Sequence, residues 1–316
     1  MRRLRSSPGA NADSAAEMLA TRLISAAILG PLIIGVVLLG EPWLSILVGI
    51  VAFLALIEVI ALLDAGGFQP PQVLGILAGI AVFAAMLVSA NRDGVGGLLA
   101  DLLTATQPPG LPAVVMAAAV LLLGIVGFTR SDPRSGFVTW GLTVFGVAYV
   151  GLLTPFLAIA AHLGPAYGSA STAIGALGLH AGAAWAITLL LVVWGYDTGA
   201  FAAGRWLGRR HLLETISPSK TVEGVLGGLV LATIAAGIGA WLIGLEPWHP
   251  LVIGPLVGMA AQAGDLAESM LKRAAGRKDS GDLIPGHGGI LDRLDSFLFA
   301  APVLVGYAML VAGFRA

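Results

Sequence analysis

Cysteine is absent from this chain and charged residues are scarce: of 316 residues, none is Cys and only 11% are Asp, Glu, Lys or Arg. The absence of cysteine excludes disulfide frameworks, thiolate metal sites and cysteine nucleophiles, but it leaves the compartment open. The 57% hydrophobic content and the mean hydropathy of +0.92 lie outside the range of soluble globular domains. The chain is therefore predicted to be an all-α polytopic membrane protein.

Several familiar catalytic and binding motifs are also missing. The sequence contains no G-x-S-x-G elbow, no H-E-x-x-H helix, no Rossmann glycine fingerprint and no Walker A loop. The basic residues form no stripe interleaved with aromatic residues, so nucleic acid is not expected as a partner. They lie instead along a predicted membrane surface, where anionic lipid headgroups are attracted.

Nine apolar runs approach the roughly 20 residues that a helix needs to cross a bilayer. The fifth is long and rich in glycine, so we expect it to be tilted or broken, and the acidic residues of the eighth leave the count open by one. The runs cover about residues 22–40, 43–63, 72–90, 111–129, 137–161, 182–203, 223–244, 250–271 and 296–314.

The N-terminal residues 1–20 are polar and small, with three arginines at the front, and they are predicted to form a flexible cytoplasmic tail. A secretory signal is the alternative for this segment, but the run from Leu23 to Leu39 is longer than the typical apolar core of about 7–15 residues. Residues 21–316 are predicted to form a single integral membrane domain.

The distribution of Lys and Arg predicts the orientation. If the N-terminus is cytoplasmic, 15 of the 17 basic residues fall on the cytoplasmic side, and only Arg92 and Arg315 fall outside. Because positively charged loops are retained in the cytoplasm, this bias favours nine spans, a cytoplasmic N-terminus and an external C-terminus. The expected location is the cytoplasmic (inner) membrane.

One stretch, Ser269–Asp295, concentrates charge in this weakly charged chain. It holds five Lys or Arg residues and four Asp residues within 27 residues, and five glycines allow its backbone to bend sharply. Cations together with carboxylates in a glycine-rich segment indicate a site for phosphate and a metal ion. The predicted orientation places this stretch on the cytoplasmic face.

Helical spacing extends the candidate site into the membrane. Asp265, Glu268, Ser269 and Lys272 follow at i, i+3, i+4 and i+7, so they share one helical face. An ionisable group inside a span costs roughly 2.5–3.5 kcal/mol and is a functional candidate for that reason. Simple ion pairing among these residues is the alternative.

Asp292 and Asp295 repeat the i, i+3 spacing at the start of the last span. Magnesium takes oxygen ligands and usually only one or two carboxylates, so Asp265 and Asp292 form a suitable pair at the ends of two spans. A helix-capping role is the alternative for Asp292.

A second candidate segment is SPSKTVEG, residues 217–224. The hydroxyls of Ser217, Ser219 and Thr221, the charge of Lys220 and the amides of the following helix suit an anion site. An ordinary helix start beside a lysine that extends toward the membrane surface is an equally good interpretation.

Three further residues are candidates for either a structural or a functional role. Asp197, in a Gly- and Ala-rich run, suits either helix packing or catalysis, and His287 suits either phosphate donation or a turn. For Glu58, inside the second span, a structural role is favoured. No second His lies near His287, which argues against zinc.

The run S-M-L-K-R-(x)4-K-D-S-G-(x)2-I-P-G-H-G-G-I-L-D-R-L-D, residues 269–295, resembles the signature of the phosphatidate cytidylyltransferases, also called CDP-diacylglycerol synthases. The likeness continues upstream through GDLAES, SPSKTVEGVLGG and DTGAFAAGRWLG, so the catalytic part is expected at about residues 190–300. One departure is Ser219, where the family often has a second lysine. The first half resembles the family only as a string of spans.

The resemblance implies an integral membrane enzyme that joins CTP to phosphatidic acid, yielding CDP-diacylglycerol and pyrophosphate with Mg²⁺ and an optional second cation. It implies metal ligation by Asp265 and Asp292, and it carries Asp279 and Asp295 over as polar signature residues. Asp295 is also a third candidate for the metal. Ser269 and Lys272 join the first two as catalytic candidates. Candidate phosphate ligands are Arg273, Lys278, Arg293, Ser217, Lys220, Thr221 and His287.

Two alternatives stay open. A CTP-dependent kinase of a long-chain lipid alcohol, or a cytidylyltransferase for another lipid phosphate, would use similar groups. A proton- or anion-coupled transporter would also use intramembrane acids, although no repeat supports it. Homodimerisation through glycine-rich helix faces is a further expectation.

Overall fold

The computed structural model describes residues 27–90, 110–164, 173–176, 181–283 and 288–310. The predicted N-terminal tail, the start of the first predicted span and His287 lie outside the described residues. The predictions for those parts stay predictions.

The described chain is almost entirely helical, as expected for a membrane bundle. Eight of its segments are long and apolar enough to span a membrane, and one of them, Pro133–Ala160, combines two α-helices with a π-helical segment between them. The helices are α1 (Ala27–Leu39), α2 (Trp43–Ala65), α3 (Gln72–Ala90), α4 (Leu111–Phe128), α5 (Pro133–Gly146), the π-helix Val147–Leu152, α6 (Pro155–Ala160), α7 (Ala173–Ala176), α8 (Ala181–Leu207), α9 (Val222–Ile243), α10 (Pro250–Ala274) and α11 (Leu291–Leu310).

The eight long spans correspond to the second to ninth predicted runs, and the shorter helix α1 lies within the first. The expected break in the fifth run is confirmed, because α5 gives way to the π-helix and a new helix begins at Pro155. Pro155 lacks an amide hydrogen, so it is tolerated at the start of a helix but not in its interior.

A short β-hairpin between α8 and α9 was not predicted. Strands β1 (His211–Leu213) and β2 (Ser217–Thr221) pair antiparallel, and β2 leads directly into α9. Thr221 ends the strand and caps the helix, since its side chain accepts a hydrogen bond from the amide of Gly224 at 3.1 Å. The hairpin therefore holds the segment just before α9 in an extended form.

The packing is that of a membrane bundle. The helix α9 packs against α8 and α10, and α10 packs against α11. Trp185 and Tyr196 are among the largest fully buried side chains, whereas Phe128, Trp241 and Leu251 are each at least 68% exposed on the outer faces. Large apolar side chains on the outside suit contact with lipid, because lipid tails are as apolar as the side chains themselves.

The two ends of the bundle differ in charge. Consecutive spans joined by short connections run antiparallel, so the ends of α2, α4, α8 and α10 lie with the starts of α3, α5, α9 and α11. Every Lys and Arg among the described residues lies at this end of the bundle, which we call the basic end. Arg130, for example, bonds the side chain of Gln69 at 2.8 Å across two connections there.

Candidate active site

A cavity of about 520 Å³ opens at the basic end, between α8, the β-hairpin and helices α9 to α11. Its wall combines acidic, basic and hydroxyl side chains with a few apolar ones. The lining residues are Asp197, Ala200, Phe201, Gly204, Arg205, Ser219, Lys220, Thr221, Gly224, Val225, Gln262, Asp265, Asp292, Arg293, Asp295 and Ser296.

The cavity reaches into the bundle. Asp265 lies nine residues before the end of α10, and Asp197 lies ten residues before the end of α8. At about 1.5 Å per helical residue, both carboxylates lie about 14–15 Å inside the helix ends. The floor of the cavity therefore lies within the membrane-spanning part of the helices.

Asp265 forms an ion pair with Lys220, which β2 presents to the cavity just before α9 begins. The other carboxylate oxygen of Asp265 lies 3.4 Å from the hydroxyl of Ser269, one turn further along α10. Lys220 and Asp265 are about one-fifth exposed, so water and solutes reach the pair through the cavity. This ion pair thus joins the hairpin to α10, although the two residues are 45 positions apart in the sequence.

Asp292, in the first turn of α11, is held by four hydrogen bonds. Its Oδ1 accepts from Lys272 Nζ at 2.6 Å, and its Oδ2 accepts from the amide of Gly289 at 2.9 Å. The same Oδ2 also accepts from the amide and the hydroxyl of Ser280, at 2.9 and 2.8 Å. Asp292 therefore links the start of α11 to Ser280 and Gly289, which belong to the segment between α10 and α11 (residues 275–290, here called the charge-dense loop). These contacts go beyond the helix-capping role that the sequence suggested for Asp292.

Lys272 joins this cluster to α10. Its ammonium group contacts both Asp292 and Glu268, whose carboxylate is completely buried. Two carboxylates share one cation, so the ammonium offsets their repulsion. Lys272 itself does not line the cavity.

Two more aspartates face the cavity. Asp295 accepts a hydrogen bond from the amide of Ser296 at 2.6 Å, and Asp197 forms no hydrogen bond or ion pair with any described residue. Close packing of α10 and α11 places Asp295 beside the site, because a Cβ added at Gly264 would collide with the carbonyl oxygen of Asp295. Only glycine allows α10 and α11 to approach so closely beside the site.

The family model for the cytidylyltransferase family matches residues 20–311. The chain belongs to this family. The match includes every residue that lines the cavity, so the family assignment and the site concern the same part of the molecule.

Curated relatives carry a more specific name. A phosphatidate cytidylyltransferase of Staphylococcus haemolyticus is 32% identical over 90% of this chain and 96% of its own length. Proteins of the same name from Synechocystis sp. and Bacillus subtilis are 48% and 49% identical, but the aligned stretches cover 38% and 36% of this chain and 41% and 43% of those proteins.

The predicted site residues that the structure describes divide into three groups. Asp265, Asp292, Asp295, Arg293, Lys220 and Thr221 line the cavity together. Ser269 and Lys272 lie directly behind it, in contact with Asp265 and Asp292.

Three further predicted residues do not line the cavity, whereas His287 lies outside the described residues. Arg273 is exposed and points its guanidinium toward the carbonyl groups of Ile216 and Arg277, each at 3.4 Å. Lys278 is exposed, and Ser217 pairs with Leu213 at the far end of the hairpin. Charge density in the sequence identified the segment, but it did not show which side chains turn inward.

Sequence reasoning missed Arg205 and Gln262 and left Asp197 undecided. All three line the cavity. Arg205 lies in the run DTGAFAAGRWLG, and Gln262 lies three residues before Asp265, on the same face of α10. A polar residue inside an apolar span was the signal that could have identified Gln262.

The oxygen donors at the cavity suit a magnesium ion. Among the described residues, no group of three or more acidic or imidazole side chains is arranged to hold a metal by itself. Magnesium, however, usually takes one or two protein carboxylates and completes its shell with phosphate and water. Asp265 and Asp292 face a cavity large enough for such ligands, and the donors are hard oxygens without sulfur, so the residues fit the ion.

Proposed function

We propose that this chain is a phosphatidate cytidylyltransferase that transfers CMP from CTP to phosphatidic acid, releasing pyrophosphate and forming CDP-diacylglycerol. The observation that carries the proposal is the intramembrane cavity, where the acidic pair Asp265 and Asp292 meets three cations, Lys220, Arg205 and Arg293. Both substrates are phosphate compounds, and one of them is a lipid, so a charged cavity inside a membrane bundle suits them.

The cations counter the repulsion between the two substrates. Two polyanions oppose close approach in a site of low dielectric constant. Lys220, Arg205 and Arg293 face the cavity from three different elements, so they would surround phosphate oxygens from several sides. The hydroxyl of Ser219, also in the wall, adds a neutral donor.

The reaction then needs no protein nucleophile. An oxygen of the phosphatidate phosphate attacks the α-phosphorus of CTP, and the bond to the bridging oxygen of the β-phosphate breaks as pyrophosphate leaves. The phosphate monoester is largely ionised near neutral pH, since its second pKa is about 6. The role of the protein is therefore to position the two phosphates in line and to neutralise their charge.

Asp265 and Asp292 would hold Mg²⁺, with Asp295 as a further ligand and space for a second cation. When bound, the ion supplies charge neutralisation at the phosphates and the leaving group. Asp295 is oriented by the amide of Ser296, and Asp292 by the loop amides, so the protein holds both carboxylates in place.

The apolar helices make the chain an integral membrane protein. We propose that the basic end faces the cytoplasm, in the cytoplasmic membrane, because loops rich in Lys and Arg are retained there. CTP would then reach the cavity from the cytoplasm and phosphatidic acid from the lipid. Homodimerisation stays a prediction from the sequence.

Full-length protein in lipid nanodiscs, supplied with CTP, Mg²⁺ and phosphatidic acid, tests the proposed reaction. A label on the α-phosphate of CTP should enter the lipid, and pyrophosphate should appear in equal amount. A lipid-alcohol kinase would instead transfer the γ-phosphate to an alcohol and release CDP. Glu246→Gln, outside the cavity, is the matched control and should retain activity. Absence of α-label in lipid from folded protein would overturn the proposal.

A further inference from the structure

The carboxylate of Glu58, on α2, reaches the charge-dense loop that carries the candidate site. We propose that Glu58 is a positioning residue that fixes Asp292 for nucleotidyl transfer, an inference that rests on the proposed function. Glu58 lies 232 residues before Ile290, with which it forms a hydrogen bond. The proposal gives the N-terminal half of the chain a defined part in the chemistry.

The hydrogen bonds of Glu58 go to the start of α11. Its Oε1 accepts from the amide of Ile290 at 2.9 Å, and its Oε2 accepts from the amide of Leu291 at 2.8 Å. The first amides of a helix have no partners within the helix, so an outside acceptor is needed when they are buried. Glu58 is only 5% exposed, and it supplies that acceptor for the two residues just before Asp292.

Ser280 connects Glu58 to Asp292. Its hydroxyl oxygen lies 3.0 Å from Glu58 Oε2 and 2.8 Å from Asp292 Oδ2. A hydroxyl has one proton, so it can donate to only one of the two carboxylates at a time while staying in contact with both. The amide of Ser280 donates to Asp292 as well, at 2.9 Å.

The loop packs on Glu58 so tightly that two of its residues have no room for a side chain. A Cβ added at Gly289 would lie 2.5 Å from Glu58 Oε2, and one added at Gly281 would lie 2.8 Å from Oε1. Real Cβ atoms essentially never approach oxygen this closely. Residues 280–281 and 289, the first turn of α11 and the carboxylate of Glu58 therefore pack closely around Asp292.

This arrangement differs from ordinary helix packing. An apolar side chain at position 58 would fill space, but it would leave the partly buried amide of Ile290 and the buried amide of Leu291 without an acceptor. Glutamine keeps the size of glutamate but offers a single acceptor oxygen, so at least one of these amides loses its partner. Aspartate keeps both oxygens on a shorter side chain.

Glu58→Gln is the decisive variant. We expect its kcat for CDP-lipid formation to fall about 10- to 100-fold because misplacement of a reacting group by about 1 Å has this effect, while KM for both substrates changes less than about threefold. Hydrogen exchange measured by mass spectrometry, without substrate, should be at least about tenfold faster in peptides spanning residues 288–292. The kcat and the exchange rate of Glu58→Asp should each lie between those of Glu58→Gln and those of the wild type.

Glu41→Gln is the matched control, since Glu41 is a hydrogen-bonded carboxylate just before the other end of α2. It should leave kcat and the exchange of residues 288–292 unchanged. Wild-type kcat in folded Glu58→Gln, or a lower thermal midpoint without faster exchange in this segment, would overturn the proposal. An inactive wild type would overturn the proposed function instead, and the exchange data would still decide whether Glu58 fixes the loop.

Discussion

Buried polar groups are arranged differently at the basic end of the bundle and at the opposite end. At the opposite end, Glu41 accepts a hydrogen bond from Ser45 at 2.7 Å and pairs with His162 at 3.3 Å. There too, His249 lies 2.6 Å from the hydroxyl of Tyr307. These polar groups form small sets of neighbours, and none of them lines the cavity.

At the basic end, four aspartates face one cavity whose wall holds only three basic side chains. Like charges in one site oppose each other, and burial increases the cost. Such a cluster of carboxylates is expected at a functional site, where a bound cation rather than the fold balances the negative charge. The comparison indicates that the polar groups of the opposite end stabilise the fold, whereas the carboxylates of the basic end lower the stability of the fold and are suited to binding.

The largest expected effect comes from removing a charge at the basic end. Asp265→Asn keeps the size of the side chain but removes its negative charge, so we expect CDP-lipid formation to fall about a hundredfold or more, as when an electrostatic group of an active site is removed. Initial rates over a range of Mg²⁺ concentrations, normalised to folded protein, measure this loss. Near-normal turnover at limiting Mg²⁺ would contradict the metal-binding role of Asp265.

A smaller effect is expected from a change in the spacing between α10 and α11. Gly264→Ala would place a methyl group against the carbonyl of Asp295, so α10 and α11 must separate beside the site. Overpacking typically costs about 1–3 kcal/mol, and we expect both a lower thermal midpoint and a roughly tenfold lower activity.

Gly306→Ala is the control for this prediction, because nothing lies within 4 Å of a Cβ added at Gly306, near the other end of α11. Exchanging glycine for alanine in a helix interior favours the helix by about 1 kcal/mol. Gly306→Ala should therefore be at least as stable as the wild type and fully active. Equal effects of the two substitutions would show that the close approach at Gly264 has no special role.

Much of the architecture follows from the sequence because membrane spans are determined by length and apolarity. The second to ninth predicted runs agree with the eight long spans, and the break in the fifth run was expected from its length and glycine content. Asp265 was predicted as a site residue because an ionisable residue inside an apolar span is costly and rare, and Asp292 because it repeats the i, i+3 spacing at the start of the last span. The predicted family is confirmed by the family model.

Contacts between distant segments could not be predicted in the same way. The role of Glu58 depends on partners more than 220 residues away, and no local pattern indicates them. The hairpin was missed because its strands have three and five residues and lack alternating apolar positions. The outward direction of Arg273 depends on the carbonyl of Ile216, which only the folded hairpin places nearby.

The smallest expected effect is at the opposite end and concerns pH. Burial lowers the pKa of His249, and Glu246 only partly offsets this, so the folded protein favours the neutral imidazole. In the unfolded chain the pKa returns to about 6.5, and below that pH the unfolded state binds a proton that the folded state lacks. The stability that depends on neutral His249 is therefore complete above about pH 6.5 and decreases as the pH falls, by at most about 1.4 kcal/mol per pH unit. Thermal midpoints between pH 8 and pH 5.5 should fall more for the wild type than for His249→Gln, whereas parallel curves would show that His249 does not contribute.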